Sequence, residues 1–169
     1  SIEFHLVRAR ARVLQDETSA GLAAAETTFK SQVAGEGRAE QAAGQYGLAL
    51  IALRRGQLAA AQEWLDKARD GTRPRPRSGV YSATPPVLGD GESIFTSLAL
   101  DIRLAPKQPA AIAQQGLKDA ELAHSRFPLS RGLARQYADA MIVNGKLDEA
   151  TRFLREHNVA VDVTMEFDN

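Results

Sequence analysis

Apolar residues return at three- and four-residue intervals along most of this chain, which is the period of an amphipathic helix. Phe4, Val7, Ala11 and Leu14 form the first such stripe, with Arg8, Arg10 and Arg12 on the other faces. Asp16 to Ser19 is a polar break that offers N-cap side chains for a second helix, in which Leu22, Ala25 and Phe29 share one stripe. Ala34-Gly35-Glu36-Gly37 ends it, because two glycines within three residues are costly inside a helix. A third helix is expected from about Ala39 to Arg55 and a fourth from about Leu58 to Arg69, with Gly56 between them as a C-cap.

The rhythm stops between Gly71 and Glu92. Pro74, Pro76, Pro85 and Pro86, together with Gly71, Gly79, Gly89 and Gly91, exclude a long regular helix there, so residues 71–92 are expected to be an insertion loop. Helical patterning then resumes at about Ser93–Leu104, Pro109–Ser125, Ser130–Asn144 and Leu147–His157. Pro106 and Pro109 frame one turn, Phe127-Pro128 marks another and Asn144-Gly145 a third. The tail from Val159 to Asn169 carries β-branched residues and is either extended or frayed.

Composition supports the all-α expectation. Of 169 residues, 29 are alanine and 18 leucine, whereas aromatics make up 6%. Alanine has the highest helix propensity, while sheets favour branched and aromatic residues. Charge narrows the partners. The 21 basic and 21 acidic residues cancel, whereas a nucleic-acid binder usually carries a basic excess to neutralise phosphates. No apolar run is long enough to span a membrane. The absence of cysteine excludes disulfides, thiolate zinc sites and a cysteine nucleophile. The sequence opens at Ser1 without a signal peptide and reads as a fragment.

The chain is also similar to itself. Gly56-Gln57-Leu58-Ala59-Ala60-Ala61, continuing to Trp64-Leu65 and Ala68, matches Gly145-Lys146-Leu147-Asp148-Glu149-Ala150, continuing to Phe153-Leu154. Tyr46, Leu48, Ala49 and Ile51 precede the first glycine much as Arg135, Tyr137, Ala138 and Ala140 precede the second. These residues resemble the tetratricopeptide repeat, a helix–turn–helix unit of about 34 residues. Small Ala49, Ala61, Ala68, Ala138 and Ala150 would let paired helices approach closely. The two glycines stand 89 positions apart, roughly two periods plus the Pro/Gly-rich insertion. The resemblance implies one domain over residues 1–169, an α-solenoid of three to four helix pairs.

The opening Phe4-His5-Leu6-Val7-Arg8-Ala9-Arg10-Ala11-Arg12-Val13-Leu14, ahead of such repeats, resembles the stretch leading into the repeat tail of the BepA-like β-barrel assembly-enhancing metallopeptidases. In that family a zinc peptidase domain carrying H-E-x-x-H precedes the repeats. The resemblance therefore implies a periplasmic location and zinc held upstream, with no cofactor or metal site in this chain. It also implies docking to protein or peptide partners, the outer-membrane assembly machinery among them.

Residue chemistry offers no catalytic set of its own. A helical zinc site needs two histidines four apart with a glutamate beside the first, and His5, His124 and His157 are widely separated. Glu3-Phe4-His5 and Glu156-His157 read as solvated helix surface, and His124 as a cation near a helix C-terminus. Neither a nucleophile elbow nor a phosphate loop is present, and Gly89-Asp90-Gly91 reads as a turn. The chain is expected not to be an enzyme.

Binding is expected on the first helix of each pair, facing a concave groove. That placement selects Tyr46, Leu50 and Arg54, then Arg103, then Arg135, Gln136 and Asp139. The guanidinium groups suit bidentate capture of carboxylates, and Tyr46 suits either an amphipathic platform or packing between repeats. The competing reading makes the arginines solubilising surface charge. Arg73, Arg75 and Arg77 give the insertion a cationic half, suited to an acidic partner or simply solvated. Two further readings stay open: a tetratricopeptide adaptor unrelated to proteolysis, and a helical ligand-binding or enzymatic domain with a pocket that no motif marks.

Overall fold

A computed structural model describes residues 1–73 and 91–157. Among them lie eight helices and no strand, in agreement with the all-α expectation. They are α1 (Ile2–Gln15), α2 (Ser19–Val33), α3 (Arg38–Arg54), α4 (Leu58–Thr72), α5 (Glu92–Arg103), α6 (Ala110–Arg126), α7 (Arg131–Val143) and α8 (Leu147–Glu156). The chain divides into two compact units, Ser1–Leu98 and Ala99–Asn169, with the division inside α5. No helix among the described residues is long and apolar enough to cross a membrane.

The first unit is built around α3. Ten of its 17 residues are buried, from Ala42 to Ala52, because α1, α2 and α4 all pack on it. A helix apolar around most of its circumference belongs in an interior. The closest approach is between α2 and α3. A Cβ placed on Gly47 would lie 2.5 Å from the Phe29 ring, and one on Gly44 would lie 2.7 Å from the Phe29 carbonyl oxygen. Only residues without a side chain fit there, so the two glycines bring the helix backbones together and let Phe29 fill the seam. Thr18 caps α2 by accepting from the Gly21 N–H at 3.1 Å.

The first helix shows one face where the sequence suggested another. Leu6, Ala9 and Val13 turn inward, whereas Phe4, Val7 and Leu14 stand 63%, 58% and 47% exposed. Both sets have helical spacing, and the buried one turns toward the rest of the unit, where α1 packs mainly on α3.

The fourth helix returns along α3. Arg38 at the start of α3 donates from Nε and Nη2 to the Gly71 carbonyl near the end of α4, at 3.1 and 2.6 Å. The turn joining them is a Schellman motif: Gly56 has φ +74°, its N–H donates to Leu53 O, and Gln57 N–H donates to Ala52 O. Ala49, Ala61 and Ala68 are fully buried. Helix α4 runs three residues past the expected end at Arg69. Arg69 donates to Glu92 Oε1 at 3.1 Å and Thr96 Oγ1 at 3.2 Å, tying α4 to the start of α5.

The second unit holds the end of α5 with α6, α7 and α8. Leu100, Ala120, Ala123, Leu133 and Ala140 form one apolar cluster, and Ala134, Ala138, Met141, Ala150 and Phe153 form another. Ser130 caps α7 by accepting from Leu133 N–H. The α7–α8 turn repeats the earlier one bond for bond. Gly145 has φ +79°, its N–H donates to Ile142 O, and Lys146 N–H donates to Met141 O at the same 2.8 Å as Gln57 to Ala52. The internal similarity in sequence is thus matched by a similarity of turn geometry.

Candidate functional site

Helices α1 and α2 both rest on α3 but touch each other little. The result is an open cleft of about 1150 Å³. Its floor is small or apolar: Ala9 of α1, Ala25 and Phe29 of α2, and Ala43 of α3. Its walls carry His5, Arg8, Arg12 and Gln15 from one side of α1 and Gln32 from α2. Residues 5, 8, 12 and 15 share one helical stripe, set between the buried and the exposed apolar stripes of α1.

Charge along the cleft is arranged rather than neutralised. Arg8 and Arg12 stand one helical turn apart, and among the described residues neither forms an ion pair. Arg12 donates to Thr28 Oγ1 at 2.9 Å across the cleft. Asp16, four residues beyond Arg12, is occupied elsewhere: its Oδ1 accepts from Thr18 Oγ1 at 2.6 Å and Thr18 N–H at 3.1 Å. Those bonds hold its carboxyl below the usual range. Gln32 Oε1 is buried and, among the described residues, accepts no hydrogen bond.

The residues expected to line a groove are placed unevenly. Tyr46 and Leu50 are 0% and 4% exposed, so both lie inside the first unit instead of on an open face. The physical reason is that α3 is enclosed by three helices, which leaves it no free side at those positions. Arg54 reaches solvent at the end of α3, where its Nε donates to Glu17 Oε1 at 2.9 Å. In the second unit Arg103 pairs with Asp119 at 3.1 Å, and Gln136 donates to Asp101 Oδ1 at 2.8 Å. Arg135 and Asp139 lie on one exposed face of α7. Partial shielding from water raises the Asp139 carboxyl above its ordinary value although the residue as a whole stays exposed, and Arg135 opposes that shift. Arg73 pairs with Asp70 at 3.2 Å, whereas Arg75 and Arg77 lie outside the described residues.

No protein-family model, curated protein or solved structure matches this chain.

Sequence reasoning missed the cleft because its parts come from three helices and match no motif. One signal was present. Arg8 and Arg12 are four apart, and Asp16, the single acid within one turn of Arg12, precedes a Thr that claims it.

Proposed function

We propose that this chain is a protein-docking module of paired helices, the non-catalytic repeat region of a periplasmic zinc metallopeptidase, which recruits partners or substrates of outer-membrane protein assembly. The observation that carries the reading is the matching hydrogen-bond pattern of the two Schellman turns, at Gly56 and Gly145, each followed by a second helix that buries an alanine five residues on, Ala61 and Ala150. Recurrence of one turn at matching sequence positions supports a repeat architecture, in which each unit would bury its apolar face against a neighbour.

Docking on such a module makes and breaks no covalent bond. Arg54, Arg103, Arg135, Gln136 and Asp139 supply the polar contacts, while Tyr46 and Leu50 hold the helix that carries Arg54. The Arg54–Glu17 and Arg103–Asp119 pairs are surface ion pairs, each worth about 0–1 kcal/mol. A partner carboxylate therefore competes for either guanidinium at little cost. Zinc belongs to the parent peptidase domain in this reading.

Two experiments test it. The gene upstream of Ser1 should encode a signal peptide and H-E-x-x-H, and a reading frame lacking H-E-x-x-H contradicts the peptidase assignment. Purified outer-membrane β-barrel assembly complex should bind the immobilised chain saturably, and no binding at micromolar concentrations contradicts the docking role.

A further inference from the structure

We propose that the α1–α2 cleft is a second binding site, separate from the hairpin faces, and that it takes the C-terminus of a peptide ending in an apolar residue. Three observations converge on that ligand. Arg8 and Arg12 line one wall, one turn apart, and neither is neutralised by a carboxylate among the described residues. A carboxylate set between two guanidinium groups gains charge-assisted hydrogen bonds, the strong kind. The floor of Ala9, Ala25, Phe29 and Ala43 takes an apolar side chain. Gln32, on the same lining, keeps a buried Oε1 that accepts no hydrogen bond among the described residues. A turn of that side chain toward the cleft would offer an acceptor to a ligand N–H.

A C-terminal residue presents all three groups from one carbon: carboxylate, apolar side chain and amide N–H. An aspartate or glutamate within a chain offers the charge without an apolar body beside it. Asp16 and Glu40, also on the cleft lining, disfavour a ligand carrying several negative charges. Size selects a peptide over a single amino acid. At about 1150 Å³ the cleft exceeds the roughly 300–1,000 Å³ of ordinary small-molecule pockets, so it seats several residues.

The test is an NMR titration of the isotope-labelled chain with three probes: N-acetyl-Ala-Ala-Leu as the free acid, its C-terminal amide, and N-acetyl-leucine. The free acid should shift the amide signals of Ala9, Ala25, Phe29 and Ala43 saturably. The amide should bind at least tenfold more weakly, and the Arg8→Gln/Arg12→Gln double variant should lose the free acid by a similar factor. Both arginines are exposed, so that variant should keep its helicity by circular dichroism. Gln32→Leu should weaken the free acid while leaving its preference over the amide intact. Equal binding of acid and amide, shifts confined to other residues, or no saturable shift would overturn the proposal. N-acetyl-leucine binding as tightly as the tripeptide would overturn the assignment to a peptide.

Discussion

Tyr46 and Phe95 meet edge to face inside the first unit, their ring centroids 6.1 Å apart and their planes inclined at 67°. Both rings are 0% exposed, so Tyr46 is a core anchor joining α3 to the first half of α5. Tyr46→Ala and Phe95→Ala should each cost about 3–5 kcal/mol, as large aromatic truncations do. The double variant should reveal a coupling of about 0.5–1.5 kcal/mol. Urea denaturation checks both values. A Tyr46→Ala cost within about 0.5 kcal/mol, normal for surface residues, would return Tyr46 to an open face.

The glycines divide into two kinds that mutation should separate. Gly56 and Gly145 have positive φ and open space where a methyl group would sit, so alanine meets only backbone strain there. Each substitution should cost about 1–2 kcal/mol, and the two costs should agree within about 0.5 kcal/mol. At Gly47 the backbone is ordinary helix, but a methyl group would meet the Phe29 ring. Gly47→Ala adds overpacking of about 1–3 kcal/mol or more and should move the aromatic signals of Phe29, which the other two variants leave in place.

Acid should weaken the second unit. His124 lies 5.2 Å from the rings of both Phe153 and His157 and 5.9 Å from Tyr137. His157 stacks on Phe153, and its Nδ1 lies 3.0 Å from the Phe153 carbonyl oxygen. Burial first, and then the nearby His157, hold the His124 imidazole below its ordinary value. Its unfolded form therefore binds a proton first as pH falls. The stabilisation is complete above the ordinary value near 6.5 and declines as pH drops below it. Glu121 and Glu149 act on Tyr137, whose phenol burial raises, chiefly by loss of water. His124→Phe keeps the aromatic packing and removes the titration, so its urea midpoint should fall less between pH 7 and pH 5.5 than that of the parent chain. Equal falls would show that His124 does not govern the effect.

Local signals were legible in the sequence where one cause dominated. Gly56 and Gly145 follow helical runs and stand where only a left-handed residue continues the chain, so both turns could be placed. The Asp16–Ser19 break was likewise legible as a source of caps, and Thr18 supplies the cap of α2. Facing was not legible. In α1 the Leu6/Ala9/Val13 and Phe4/Val7/Ala11/Leu14 stripes have the same period, and only the position of α3 decides between them. The groove placement of Leu50, and of the two readings left open for Tyr46 the platform rather than the packing one, failed for a related reason, since a groove-lining helix needs one open side and α3 is enclosed. The cleft is legible only once Ala25, Phe29 and Ala43 are brought from two other helices to the arginines of α1.

The docking account is tested most directly by titrating purified outer-membrane β-barrel assembly complex with the parent chain and with Arg54→Ala/Arg135→Ala. These arginines sit on the first helices of the two matching hairpins, and the Arg54–Glu17 surface pair contributes little to folding. The account predicts saturable binding by the parent chain and at least a tenfold loss in the variant, with far-ultraviolet helicity unchanged. Equal affinity of the two proteins would contradict it.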